Sequence, residues 1–511
     1  MPDSRLPIFL NFEHTYHDQL PGFFVALQPH AVTQPHLLQF NTGLANELGI
    51  NCEQLTPEII ENLFSGNTLP LDANPIAQAY AGHQFGNFVP QLGDGRALLI
   101  GELIDQNGIR RDVALKGSGI TPFSRGGDGK AAVGPVLREY LIGEAMHALG
   151  IPTTRALAAV ATGEPVMREQ KLPGAVLTRV ASSHIRVGTF QFFAARQLTE
   201  SVRKLADYVI QRHYPDASES PNCYLSLLQL VADQQAKLIA QWMLVGFIHG
   251  VMNTDNMAIA GETIDYGPCA FMEAYNPDTV FSSIDHGGRY AFGNQPSIAV
   301  WNLARFAETL LPLINEADSE AAIAEATAVL DTFIPTFQNH WYRGALKKLG
   351  LAGNEDTAQV GEQQRALIDD WFQWLAKGKV DYTLGWRYLA DAATGNPCKL
   401  QSISTAPNHS ASDDTANEDL ESWLARWREQ LGNTDPETVA TTLRGVNPIH
   451  IPRNHLVEEA LAAASDDGNL QPFETLLAAV KQPFDDSPHA PRYSSPATAE
   501  YTANYRTFCG T

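Results

Sequence analysis

Positively charged residues are scarce in this chain. Its 511 residues include 35 lysines and arginines against 57 aspartates and glutamates, which gives a formal charge of −22. An acidic surface repels the phosphates of nucleic acids and of anionic membranes. The composition therefore argues against general nucleic-acid or membrane binding, but it leaves room for a local cluster of cations.

Cysteines and long apolar runs are also few. The five cysteines are odd in number and widely scattered, and no pair has metal-ligand spacing, which argues against a zinc site or a disulfide framework. The longest apolar run of the helical region, residues 242–248, is far shorter than the roughly 20 residues of a membrane span. The N-terminus shows no apolar core of a signal peptide, so we expect a cytoplasmic protein.

The most informative segment is the octapeptide His249–Asn256. A protein-kinase catalytic loop reads H-R-D-x-x-x-x-N, where the Asp is the base and the Asn holds a metal ion. The His and the Asn are kept here, but Val251 stands at the position of the base and a carboxylate returns at Asp255. Asp265-Tyr266-Gly267 follows and resembles the metal-binding D-F-G. This pattern indicates ATP chemistry other than ordinary phosphoryl transfer.

A lysine and a glutamate upstream fit the same kind of site. Lys116 ends the string Val113-Ala114-Leu115-Lys116, which matches the V-A-I-K pattern of a kinase strand whose lysine neutralises phosphate charge. Glu139 lies on the next predicted helix and is the expected ion-pair partner of this lysine. A lone lysine at a strand end is usually only solvated, but the two downstream motifs favour a functional role.

Two oxygen ligands and one further carboxylate form the predicted catalytic group. Asn256 and Asp265 are spaced to hold one divalent ion, and Mg²⁺ suits such ligands when phosphate oxygens complete its shell. Asp255 is either a general base or a residue that caps the loop. Its place beside a metal ligand favours the base.

Glycines and arginines are the remaining candidates for phosphate contacts. Gly93 and Gly95 would let backbone N–H groups approach an anion, although an ordinary turn has the same pattern. The glycine cluster at 117–130 is either a flexible loop or a lid over the nucleotide. Arg179 and Arg186 are candidate cations for a polyphosphate in this acidic chain.

The order of predicted elements favours a small β-rich lobe followed by a larger helical lobe. We predict strands over 96–104 and 111–116 joined by a turn at Asn107-Gly108, then a helix over 136–149. A long amphipathic helix over 225–247 leads into the octapeptide. The expected fold is α+β and bilobal, like a protein kinase, with extensions at both ends. The predicted divisions are an N-terminal extension (1–75), an N-lobe (76–190), a C-lobe (191–345) and a mostly helical C-terminal region (346–511).

With these residues in place, the chain resembles the selenoprotein O family over nearly its whole length. The strings Ala79–Gly86, Gln91–Arg96 and Asn253–Met257 carry the resemblance. The resemblance implies a protein-kinase-like fold that binds ATP in a flipped orientation. It also implies transfer of AMP, or of UMP from UTP, to Ser, Thr or Tyr hydroxyls of proteins, with Mg²⁺ or Mn²⁺ as the metal ion.

The resemblance also implies roles for single residues, all of whose identities are present. It makes Asp255 the base and Asn256 and Asp265 the metal ligands, with Asp265 also close to the nucleotide. The nucleotide contacts that it implies are Gly93, Gly95, Arg96, Lys116, Asp128, Gly129, Arg179 and Arg186.

Two cysteines gain interest from the same resemblance. Animal members of the family carry selenocysteine near the C-terminus, where this chain has Cys509, and Cys269 lies just beyond Asp265. We predict that Cys269 and Cys509 can form a disulfide that locks the tail over the active site. The alternative is two unrelated cysteines, with Cys269 simply buried.

Two other functions stay open at this point. One is an ordinary phosphotransferase that uses Asp255 as a displaced base, and Val251 argues against it. The other is a pseudokinase, a non-catalytic scaffold that binds ATP. A pure scaffold has no need of the intact Lys116, Asn256 and Asp265.

Overall fold

The strands of the first part of the chain form one main antiparallel sheet, and helices make up most of the rest. The structure is a computed structural model that describes residues 10–351, 360–403, 414–486 and 491–508. The strands are β1 (Phe24–Ala26), β2 (His36–Phe40), β3 (Ile76–Gln78), β4 (Gly82–Gln84), β5 (Asn87–Val89), β6 (Ala97–Ile104), β7 (Arg110–Lys116), β8 (Ala131–Ala132), β9 (Arg155–Met167), β10 (Lys171–Ala181), β11 (Phe247–Ile248) and β12 (Ala270–Phe271).

The helices begin within the sheet region and dominate after residue 187. They are α1 (Thr15–Gln19), α2 (Thr42–Glu47), α3 (Pro57–Ser65), α4 (Val133–Ala148), α5 (Val187–Ala194), α6 (Thr199–His213), α7 (Cys223–Leu244), α8 (Gln295–Ile314), α9 (Ser319–Asp331), α10 (Phe333–Lys348), α11 (Glu362–Lys377), α12 (Tyr382–Arg387), α13 (Leu389–Ala393), α14 (Cys398–Ile403), α15 (Asp414–Leu431), α16 (Pro436–Val446), α17 (Asn454–Asp466), α18 (Gln471–Val480) and α19 (Ala499–Asn504). In the part of the chain that the structure describes, none of these helices combines the length and apolarity needed to cross a membrane.

The main sheet is built around the predicted hairpin. Its strand order is β1-β3-β6-β7-β10-β9-β2, and β8 pairs with β10. The β6–β7 turn is held by Asp105, whose Oδ1 accepts hydrogen bonds from the backbone N–H groups of Asn107 and Ile109, both at 2.9 Å. The two edge strands, β1 and β2, come from the predicted N-terminal extension (1–75).

Helix α4 lies between the sheet and the C-terminal helices. It contacts β9 and β10 on one side and α17 and α18 on the other. Its apolar spacing buries Val136, Leu137, Tyr140 and Leu141. Because both sides of α4 are packed, its position against the end of β7 is fixed, and this contact defines the site described below.

Helix α7 is shorter at its C-terminal end than the sequence predicted. Asn222 caps its start by accepting a hydrogen bond from the Leu225 N–H at 3.1 Å. The prediction that the helix continues to residue 247 is wrong, because Gly246 adopts a left-handed conformation with φ of 77°. Phe247 then pairs with Phe271 in the short β11–β12 sheet. The octapeptide therefore directly follows a strand rather than a helix.

Candidate active site

In the part of the chain that the structure describes, one large cavity is lined by the residues predicted to bind the nucleotide and the metal ion and to act as the base. Its volume is about 1680 Å³, and it lies among the end of β7, helix α4, the octapeptide and the last described residues. The predicted residues that line it are Gly93, Gly95, Arg96, Lys116, Asp128, Gly129, Glu139, Arg179, Arg186, Asp255, Asn256 and Asp265. Segments far apart in the sequence therefore meet in a space large enough for a nucleotide and part of a second substrate.

Lys116 links the sheet, helix α4 and the segment after the octapeptide. Its Nζ atom lies 2.5 Å from Oε2 of Glu139 and also contacts Oδ1 of Asp265. Burial alone would raise the pKa of Asp265, but the charges of Lys116 and Arg179 hold that pKa well below its usual range. Asp265 is therefore an ionised carboxylate between two cations.

The backbone of Asp265 has an unusual conformation that His249 helps to hold. Asp265 has a φ of 68°, which non-glycine residues rarely adopt outside strained or functional positions. His249 is fully buried, and its Nε2–H donates to the carbonyl of Ile264 at 2.9 Å. Its Nδ1 then accepts from the Val251 N–H at 3.4 Å. His249 thus connects the octapeptide to the segment that contains Asp265. It is not among the residues that line the cavity.

Asp255 is buried, and one of its carboxylate oxygens is unpaired. Its Oδ2 accepts a hydrogen bond from Nε2 of Gln84 at 3.1 Å. Its Oδ1 has no hydrogen-bond partner among the residues that the structure describes. Burial raises the pKa of Asp255 to about 6, although the Gln84 hydrogen bond opposes this shift. A buried and half-paired carboxylate with a raised pKa is suited to accept a proton.

The β4–β5 hairpin clamps the octapeptide. The His83 N–H donates to Oγ1 of Thr254 at 2.7 Å, and the Phe85 N–H donates to Oδ1 of Asn253 at 3.1 Å. A Cβ atom at Gly82 would lie 2.6 Å from Oδ1 of Asp255, so only glycine lets the hairpin approach this closely. These contacts were not predictable from the string Ala79–Gly86, which carried only a family resemblance.

Asn256 and Asp265 face the same cavity with oxygen atoms suited to a hard cation. The Nδ2 group of Asn256 donates to the carbonyl of Val251 at 3.0 Å, which leaves the amide oxygen for a ligand. The described residues contain no group of three or more His, Cys, Asp or Glu side chains placed to hold a metal ion. The pair therefore fits Mg²⁺ or Mn²⁺ only if phosphate or water oxygens complete the shell.

Arg186 is a buried cation with incomplete hydrogen bonding. It is 2% exposed, stands just before α5, and its guanidinium lies 4.3 Å from the centre of the Tyr80 ring. Its Nη1 is 3.6 Å from Oδ1 of Asp94, yet Nε and Nη1 have no hydrogen-bond partner in the described part of the chain. Because leaving a buried guanidinium unpaired is unfavourable, the position favours an anionic ligand.

The glycine-rich segments form a further wall of the cavity. Gly93 and Gly95 pack against Phe123 and Ser124, so the turn before β6 and the loop after β7 touch each other. Asp128 accepts a hydrogen bond from Nη1 of Arg168 at 2.8 Å, and Arg168 also lines the cavity. Arg168 is a cation at the site that the sequence analysis did not identify.

Of the two cysteines of the predicted disulfide, the structure describes only Cys269. Cys269 is fully buried and forms no disulfide with another described cysteine, and burial raises the pKa of its thiol to about 12. Cys509 lies outside the described residues, so the Cys269–Cys509 bond stays a prediction. The tail does reach this region, because Oγ1 of Thr507 donates to the carbonyl of Pro268 at 2.8 Å and Phe508 lines the cavity.

Comparison with known proteins gives consistent matches over almost the whole chain. The family model described as protein adenylyltransferase SelO matches residues 7–481. A relative from Chromobacterium violaceum named protein nucleotidyltransferase YdiU is 56% identical over 494 residues, which cover 96% of this chain and 100% of the relative. A relative of the same name from Cereibacter sphaeroides is 58% identical over 501 residues, or 98% of this chain and 99% of the relative. Another from Rhizobium johnstonii is 52% identical over 503 residues, or 98% and 97% of the two chains.

Proposed function

This chain belongs to the SelO family of protein adenylyltransferases, and we propose that it transfers AMP from ATP to Ser, Thr or Tyr hydroxyls of proteins. We include UTP as a second nucleotide donor, which would give UMP transfer. We further propose that the protein acts in the cytoplasm.

One observation supports this function most directly. Asp255, whose buried Oδ1 has no hydrogen-bond partner among the described residues, lines the same cavity as the cations Lys116, Arg179 and Arg186. A proton acceptor and a polyphosphate site therefore adjoin each other. Transfer of a phosphorus group to a hydroxyl needs both, because the hydroxyl must lose its proton while the leaving group gains negative charge.

In the proposed reaction, Asp255 accepts the proton of the acceptor hydroxyl. The hydroxyl oxygen forms a bond to the α-phosphorus of ATP, and the bond from that phosphorus to the bridging oxygen breaks. Pyrophosphate leaves with the electron pair, and the protein side chain carries AMP. With its pKa near 6, Asp255 is a stronger base than an ordinary aspartate and is still mostly ionised at neutral pH.

The positions of the cations support the flipped nucleotide orientation that the family resemblance implies. We propose that the terminal phosphates of ATP lie against Arg179 and Arg186, which brings the α-phosphorus toward Asp255. Lys116, held by Glu139, neutralises phosphate charge from the sheet side. The other proposed nucleotide contacts are Gly93, Gly95, Arg96, Asp128, Gly129 and Asp265.

Asn256 and Asp265 are the proposed metal ligands. When bound, Mg²⁺ or Mn²⁺ would neutralise charge on the phosphates. The protein residues around this pair keep Asp265 ionised and leave the amide oxygen of Asn256 free to bind.

We also propose that the architecture corresponds to a bilobal protein-kinase-like fold. Residues 76–190 would be the N-lobe and 191–345 the C-lobe, with 1–75 and 346–511 as extensions. The ion pair between a lysine on β7 and a glutamate on α4 supports this correspondence, as does the octapeptide that leads to Asn256.

The test is a labelling experiment with purified protein, casein-like acceptors and ATP labelled at either the α or the γ phosphorus. We expect protein label from the α position only, and a loss of roughly a hundredfold or more in Asp255→Asn and in Asp265→Ala. Asp278→Ala, which changes an exposed aspartate of the same region, is the matched control.

Each other outcome would contradict the proposal in a different way. Label from the γ position alone would make the protein a kinase. The absence of label from both positions, with ATP still bound, would favour a scaffold. UTP labelled at the α position, run beside ATP, measures the preference between the two donors.

A further inference from the structure

A second buried histidine lies directly behind the cavity. His184 is 3% exposed, and its Nε2 is 3.2 Å from Nε of Arg179. On the other side of the ring, Nδ1 is 3.1 Å from Oδ2 of Asp112. Neither His184 nor Asp112 lines the cavity, and the hydrogen bond between His184 and Arg179 connects both to the proposed nucleotide site.

The chemistry of the three groups fixes the direction of both hydrogen bonds. The Nε–H of an arginine can only donate, so Nε2 of His184 must be the acceptor. The single proton of the neutral ring is then on Nδ1, which donates to Asp112. Burial lowers the pKa of His184, and the nearby charges of Arg179 and Arg186 act in the same direction. The neutral ring is therefore the stable form beside the guanidinium.

Asp112 is itself held from two sides. Its Oδ1 accepts a hydrogen bond from Nη2 of Arg212 at 2.6 Å, and its Oδ2 also accepts from the backbone N–H of His184 at 2.9 Å. Burial would raise the pKa of Asp112, but Arg212 and His184 hold it below its usual range. Asp112 is thus a fixed anion that orients the His184 ring.

Strand register explains how these groups meet. Asp112, Ala114 and Lys116 alternate along β7 and share one face of the sheet. Arg179 on β10 is paired with Ala114, so its side chain lies between the positions of Asp112 and Lys116 on the same face. Its Nη1 then reaches Oε1 of Glu139 at 3.2 Å. The guanidinium is consequently held at Nε by His184 and at Nη1 by Glu139.

We propose that His184, oriented by Asp112, is a positioning residue that fixes the plane of the Arg179 guanidinium for the terminal phosphates of the nucleotide. This inference rests on the proposed function, in which Arg179 contacts those phosphates. A planar guanidinium recognises a phosphate through paired N–H groups, so a rotation about its Cδ–Nε bond removes one of them. The hydrogen bond to Nε opposes that rotation.

Two polar variants of similar size separate this role from a general structural one. His184→Asn keeps a donor at the position of Nδ1, and thus the bond to Asp112, but is too short to reach Arg179. His184→Gln extends an acceptor to the position of Nε2. We expect ATP affinity to fall about tenfold in the Asn variant and to stay within about threefold in the Gln variant. Adenosine, which has no phosphates, should bind both variants with the same affinity as it binds the unmodified protein.

A double-mutant cycle tests whether His184 acts through Arg179. Arg179→Lys removes the Nε–H donor, so His184→Asn should have no further effect on ATP affinity in that background. An additive loss, an unchanged affinity in His184→Asn, or an equal loss of adenosine binding would each overturn the proposal. His213→Asn is the matched control, because His213 contacts Ser183 instead of Arg179.

A negative result of the double-mutant cycle can be distinguished from a failure of the proposed function. It measures binding of unlabelled ATP, with thermal unfolding as a check on folding, and needs no transfer reaction. If label came only from the γ phosphorus, the proposed function would be wrong. The cycle would still decide whether His184 positions Arg179.

Discussion

The side-chain amide of Gln84 donates a hydrogen bond to Asp255, although the two residues are 171 positions apart in the sequence. Gln84 ends strand β4, and Asp255 lies in the octapeptide. The bond holds Oδ2 of Asp255 at 3.1 Å and leaves Oδ1 without a partner among the described residues. Gln84 therefore holds the carboxylate of the proposed base in one orientation.

Gln84→Met should lower the turnover number for protein labelling by about tenfold, because a base that is free to rotate spends less time in the reactive geometry. The KM for ATP should change little, since Gln84 holds the base rather than the phosphates. Steady-state kinetics with varied ATP measures both values. Gln106→Met, at an exposed position, is the control. A rise in KM for ATP with an unchanged turnover number would show that Gln84 acts on nucleotide binding instead.

Gly82→Ala should impair the same base by crowding it. The added Cβ would lie 2.6 Å from Oδ1 and 3.0 Å from Cβ of Asp255, so the carboxylate must move. We expect a loss of activity of roughly tenfold or more, measured by α-phosphorus labelling. Gly445→Ala, where nothing lies within 4 Å of the new Cβ, should keep full activity. Full activity in Gly82→Ala would mean that the observed position of Asp255 is not required.

Asp265→Asn should have opposite effects on binding and on catalysis. The substitution removes a negative charge that contacts Lys116 and lies 3.7 Å from Nη1 of Arg179. Metal-free ATP should then bind roughly tenfold more tightly, because Glu139 alone still compensates the two cations. Metal-dependent labelling should fall by about a hundredfold or more, because the proposed metal loses an ionised ligand.

Calorimetric titration of ATP in the presence of a chelator, beside the labelling assay, measures the two effects of Asp265→Asn. Asp278→Asn at the exposed surface should change neither quantity. Weaker binding of metal-free ATP in Asp265→Asn would indicate that the carboxylate supports the site structurally rather than by its charge.

The sequence predicted the parts of the site that follow a local pattern. Lys116 ends a strand of a hairpin, and its Val-Ala-Leu-Lys string is readable without the fold. The pairings of Gln84 with Asp255 and of His184 with Arg179 are not readable in this way. The first joins distant segments, and the second depends on the register that sets Arg179 opposite Ala114.

The fold shows the same division between local and long-range information. The β6–β7 hairpin was predictable because Asn107-Gly108 separates two apolar runs. Strands β1 and β2 are short, and their place at the two edges of the sheet depends on partners far along the chain. The end of α7 was misplaced because the apolar run continues past Gly246, while the backbone changes direction there.

A buried lysine that does not line the cavity gives a prediction about stability. Lys348 is 5% exposed, and its Nζ lies 5.2 Å from the centre of the Trp386 ring. Burial lowers its pKa from 10.5 to about 7. Between these two values the unfolded chain holds the proton more firmly than the folded protein does. The free energy of unfolding should therefore rise with pH from about 7 to about 10.5, since the unfolded state binds more protons in that window.

Lys348→Met should remove this pH dependence and stabilise the protein at neutral pH. Methionine has a similar length, needs no hydration and can pack against the Trp386 ring. We expect the free energy of unfolding at pH 7 to rise by at least about 1 kcal/mol, and the gain to shrink as the pH approaches 10.5. Denaturant unfolding at a series of pH values measures the stabilisation and its pH dependence. Lys347→Met, which changes the exposed neighbouring lysine, is the control. A destabilised Lys348→Met would show that the ammonium group is stabilised in the folded protein, most directly by the face of the Trp386 ring.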